Sequence, residues 1–193
     1  MFRVLEKLYE AITLGAVLAL ALIVWFHGSH LLDAFYWGAL FTWLHVLSGI
    51  AWIGLLYYFN LVQIPTMPKI PAELKPAVGK YIAPEALFWF RWAALATVVT
   101  GLIVMTLNGY AISALTLAEP HRTIGTGMWL GLIMAFNVWF IIWPNQKKAL
   151  GIVKVEDAAK AKAARVAMLT SRVNFVLSVP MLYCMVAFRL VGG

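Results

Sequence analysis

WGALFTWLHVLSGIAWIGLLYYFN, residues 37–60, is long enough to cross a bilayer as one helix and carries a histidine, His45, well inside its apolar run. About 20 mostly apolar residues suffice for such a crossing. A titratable side chain within a span is costly, usually faces protein rather than lipid, and marks a functional-site hypothesis by default. The rest of the chain is read by asking what His45 meets.

Composition agrees with a membrane reading. Hydrophobic residues make up 63% of the 193 and charged residues 12%, against roughly 45–50% and 25% in soluble domains; the mean hydropathy is +0.86. The pI near 9.7 does not point to nucleic acid, because the basic residues lie in loops between apolar spans. There they set topology and contact anionic lipid. The single cysteine, Cys184, excludes an internal disulfide, a CxxC redox pair and the CxxCH signature of covalently held haem. It reads as a small packing residue.

Outward from residues 37–60, the pattern predicts an all-α integral membrane protein, a bundle of about five transmembrane helices in one domain over 1–193. The spans fall at about 8–26, 37–58, 85–107, 125–143 and 171–188. Residues 8–26 follow Arg3 and Lys7 as a signal peptide would, but no small-residue cleavage site comes after them, so they read as the first span. Pro65, Pro68, Pro71 and Pro76 argue against a long helix in the loop after the second span. Residues 151–169, with several alanines and alternating charges, predict a separate amphipathic segment on the cytoplasmic surface.

Charge sets the expected orientation. The segments holding Arg3 and Lys7, then Lys69, Lys75 and Lys80, then Lys147 to Arg165, share one side. The opposite side holds Arg122, with Arg189 near the final end. The positive-inside rule puts the N-terminus in the cytoplasm and the C-terminus in the periplasm. All four histidines then fall in the outer half, with His45 roughly 12 Å deep at about 1.5 Å per residue.

Three readings of His45 are open: a packed imidazole bonded to a helix carbonyl, an axial ligand to haem, or another metal or proton-relay role. Haem is favoured among ligands because neutral imidazole is a common axial group and helix bundles bury cofactors. Zinc or copper would want three or four close ligands. His27 is the first candidate for a second axial position, since its helix ends on the same side; His121 and His30 would need their loops to fold inward. Arg122, on the outer face, is a candidate partner for haem propionates. Arg91 reads as an inter-helix or snorkelling residue. Most of the nine tryptophans sit at expected helix ends and suit aromatic belts there.

One resemblance is more specific than composition. HVLSGIAWIGLLYYFNLVQIPTMPKIPAELKPAVGKYIAPEALFWFRWAALATVVTGL (residues 45–102), with MAFNVWFIIWPNQKK (residues 134–148), resembles the N-terminal membrane domain of the bacterial cytochrome c-coupled urate hydroxylases. The pattern of a histidine, a tryptophan-glycine pair and a tyrosine-rich end is similar, more distantly, to the flavin-free membrane protoporphyrinogen oxidases, which bind haem b through membrane histidines. The resemblance implies a haem b-binding electron-transfer or oxidoreductase protein of the inner membrane, with urate as a candidate substrate. The sequence has no CxxCH, so the implied acceptor is a separate periplasmic cytochrome c. A different class of function stays open beside it: a non-catalytic subunit of a larger membrane complex, its aromatic surfaces covered by partner helices or lipid. A carrier role would want an internal repeat, and none is found.

Overall fold

The computed structural model describes residues 5–191, without the side chains of Ala34, Arg189 and Val191. Arg3, Arg189 and the chain ends used in the charge and domain arguments therefore lie outside what is described here. Seven α-helices of five residues or more frame the described residues: α1 (Leu8–His27), α2 (Ala34–Tyr57), α3 (Ala83–Leu107), α4 (Ala111–Leu115), α5 (Arg122–Phe136), α6 (Trp143–Ala149) and α7 (Asp157–Val191). No strand occurs among the described residues. Five continuous helical stretches are long and apolar enough to cross a membrane, Leu8–His30, Phe35–Lys69, Lys75–Leu107, Arg122–Ala149 and Asp157–Phe188.

These stretches outrun the expected spans, and proline explains how. A proline inside a helix lacks an N–H and its ring collides with the carbonyl four residues back. Three wide π-helical segments, Tyr58–Gln63, Val78–Ile82 and Asn137–Ile142, each lie immediately upstream of a helical turn that opens on a proline: Pro65, Pro84 and Pro144. Widening the turn there lets the helix continue through the proline. The prolines expected to end the second span thus only reshape it, and the chain leaves helix near Ile70, where the backbone turns extended.

The helices pair antiparallel, as the contacts between them show. Between α2 and α3, Gly38 faces Asn108, His45 faces Thr97 and Gly101, and Phe59 meets Phe90 edge-on at 5.4 Å. Between the fourth stretch and α7, Gly127 faces Cys184 and Asn137 faces Asn174. A Cβ on Gly127 would stand 2.9 Å from that of Cys184, so the glycine is what lets these two backbones close, as small residues do in membrane helix pairs. The core gathers Trp52, Leu56 and Phe59 from the second stretch, Leu87, Phe90 and Ala94 from α3, Met134 and Val138 from the fourth, and Ala167 and Met181 from α7.

Two elements sit differently from the expectation. Residues 157–169 do not form a separate surface helix; they are the opening turns of α7, unbroken into the last span. Ala163, Ala167 and Ser171 face the bundle while Lys160, Lys162 and Arg165 face out. Amphipathicity marked the face correctly, but it belongs to one long helix rather than two. The first helix is bare: none of α1 is buried. Trp52, far from a helix end, is 2% exposed and anchors the core instead of a belt.

Candidate functional site

His45 sits on the face of the second stretch that carries Trp52 and Leu56 on α2 and Phe59 and Gln63 on the widened turn after it, spaced for one side of a helix. That face looks at α3. His45 Nδ1 lies 2.8 Å from the backbone oxygen of Thr97, and a carbonyl can only accept, so Nδ1 carries the proton. The Thr100 hydroxyl stands 3.3 Å from the same nitrogen and donates to Ala96 O. Gly101 completes the seat. A Cβ there would come within 2.9 Å of His45 Cε1 and 3.1 Å of Nδ1, so only glycine leaves room for the ring.

One nitrogen is thus spent on orientation. Nε2 makes no hydrogen bond with any described residue, and the ring is half-buried. Metal-bound histidines are usually held this way, Nδ1–H on a carbonyl and Nε2 turned to the ion. The donor chemistry of His45 therefore fits one axial position on a haem iron.

The other histidines lie at the end of the bundle where α2 begins and α5 begins, and none bonds to or stacks on His45 among the described residues. His121 Nδ1 and Ser113 Oγ share a hydrogen bond of 2.8 Å, and the same hydroxyl lies 3.1 Å from Tyr110 O. Its ring stacks on Tyr110 at 5.2 Å and touches Phe188 at 5.6 Å. His30 Nδ1 meets Asp33 Oδ2 at 2.9 Å on the exposed surface. His27 meets the rings of Phe26 and Tyr36. Arg122 pairs with Glu119 at 3.2 Å, both exposed. No cluster of three or more His, Cys, Asp or Glu side chains able to hold a bare metal ion occurs among the described residues; one imidazole on a haem iron needs no such cluster.

Arg91 bridges helices, its guanidinium 3.8 Å over the Trp143 ring and one nitrogen donating to Leu87 O. A second polar feature was not foreseen. Asn174, fully buried on α7, accepts from Asn137 Nδ2 at 2.8 Å and donates to Met134 O at 3.0 Å. One turn on, Ser178 donates to Phe175 O and meets the Tyr57 hydroxyl at 3.3 Å; one turn back, Asn60 donates to Ser171 Oγ at 3.0 Å. The signal available was the i, i+3/i+4, i+7 run of Ser171, Asn174 and Ser178 on one face of an apolar helix.

The fold and the histidine seat define a class: an all-helical protein built of apolar, membrane-length helices, with an oriented imidazole held between two of them. Within that class, the family model described as urate oxidase N-terminal matches residues 121–190, which supports a urate oxidase N-terminal-like family. The match covers α5, α6 and α7 with the Asn137–Asn174 contact, as well as His121 and Arg122; His45 lies before it. No curated protein and no solved structure matches the chain.

Proposed function

We propose that this chain is a multi-pass protein of the bacterial cytoplasmic membrane, with its N-terminus in the cytoplasm, that binds haem b on His45. It would serve electron transfer or oxidation coupled to a periplasmic cytochrome c. The observation carrying the reading is the His45 seat: Nδ1–H fixed on Thr97 O, Gly101 clearing the ring, Nε2 left open. The family match at residues 121–190 supports an oxidative context, and the apolar helices support the bilayer. When bound, haem b supplies a one-electron couple whose potential follows its axial ligands and burial.

The chain's own residues would do the rest. Thr97 fixes the tautomer, Gly101 fixes the ring plane, and the apolar flanks of α2 and α3 exclude water. His121 and His30 each have Nδ1 engaged by a neighbour, on Ser113 and on Asp33, and either would hold the iron through Nε2 more readily than His27; His121 is also the half-buried one of the two. Arg122 would meet propionates only by leaving Glu119. Urate as substrate rests on the family match alone. The test is the visible spectrum of wild-type and His45→Ala protein prepared identically: the variant should fold and lose the Soret band. A folded His45→Ala protein with undiminished absorbance would remove the ligand assignment.

A second reading has its own observation. Helix α1 is membrane-length yet buries nothing in this chain, as suits a subunit whose first helix packs in a larger complex. Mild-detergent extraction followed by native mass measurement tests it: a stable hetero-complex lacking haem would favour this reading over the first.

A further inference from the structure

At the end of the bundle opposite the histidines lies a cavity of about 350 Å³, opening at the surface between the second, third, fourth and last helical stretches. From His45 it is roughly 21 Å away along α2, counting to Phe59 at about 1.5 Å per residue. Phe59, Phe90 and Met168 wall it, Gln63, Gln146 and Ser171 give it polar edges, and none of its lining side chains is charged.

Two buried acceptors beside this cavity have no donor. Gln63 Oε1, on the lining itself, is fully buried and makes no hydrogen bond. So is Asn60 Oδ1, one helical turn away; its orientation is fixed because Asn60 Nδ2 donates both to Leu56 O and to Ser171 Oγ. Unpaired buried acceptors are uncommon and costly. Both stand on or beside the widened turn Tyr58–Gln63, and π-helical turns often mark functional sites.

We propose that this cavity binds the head group of a membrane-dissolved quinol. An uncharged lining selects against ions, the volume is at the low end of small-molecule pockets and suits one ring, and the orphan acceptors ask for O–H donors. Quinols bring an apolar ring with two O–H groups, and the cavity's mouth leaves an exit for an aliphatic tail. The proposal needs the bilayer placement but not haem on His45.

The experiment is a calorimetric titration of the full chain in detergent with a decyl-tailed benzoquinol, kept reduced, and with the matching quinone. Saturable one-site binding is expected, with the quinol roughly three- to tenfold tighter because only it donates to the amide oxygens. Gln63→Leu should erase that preference, and Ala164→Phe at the mouth should abolish binding. Should Gln63→Leu fail to fold, Ala164→Phe and the quinol-to-quinone ratio decide. No saturable binding, equal affinity for quinol and quinone, or indifference to both substitutions (plain partition into the micelle) would overturn the assignment.

Discussion

Two places in this molecule bury polar groups between apolar helices, and they do it differently. Between the fourth stretch and α7, Asn137 and Asn174 close on one another and Asn174 on Met134 O, and Asn174 has no exposed surface. On α2 and α3, His45 spends one nitrogen on Thr97 O and keeps the other open in a half-buried ring. A polar clasp satisfied on both sides holds helices in register; a polar group satisfied on one side only is oriented toward something else. The contrast assigns packing to the first site, and the proposed ligand role to the second.

The contrast can be broken most forcefully at the clasp. Asn174→Leu strands the Asn137 amide in apolar surroundings and should cost about 2 kcal/mol of stability, read as an earlier unfolding transition in mixed-micelle denaturation. It should leave any absorbance per folded chain unchanged. At the histidine seat the order of effects reverses. Gly101→Ala pushes a methyl against the imidazole and should cost about 1 kcal/mol, as overpacking does, while displacing the ring enough to weaken haem retention. His45→Ala should cost less than about 1 kcal/mol, the loss of one net hydrogen bond, yet remove the absorbance entirely. Thr100→Ala is the finest probe: it removes the 3.3 Å contact to Nδ1 together with the hydroxyl's bond back to Ala96 O on its own helix, should cost about 0.5 kcal/mol, and should shift the reduced α-band without abolishing it.

How much of this was legible beforehand follows from where each signal resides. The five apolar stretches and the break near residues 28–33 are local in the chain, and local hydropathy reports them well. So is the face of the second stretch, since Trp52, Leu56, Phe59 and Gln63 repeat at helical spacing from His45. Helix ends were misjudged because proline was weighed without the widened turns that absorb it at Pro65, Pro84 and Pro144. The unity of α7 was missed because its charged outer face and its apolar span look like two objects in hydropathy, although alanines at 163 and 167 bury continuously into Ser171 and Asn174. The clasp joins residues 37 apart, and the seat joins His45 to a carbonyl 52 residues on. No single-sequence pattern names a backbone oxygen as partner. Gly101 is the nearest thing to a local sign of it, a small residue one turn after Thr97 on the facing helix.

The central claim, that His45 offers its open nitrogen to a haem iron, is met most directly by pyridine haemochrome analysis of the purified full chain in mild detergent. The account predicts haem b near one per chain, with a Soret and an α-band in the reduced protein. A folded, membrane-extracted protein with no haemochrome would contradict it, and the complex-subunit reading of the same helices would take its place.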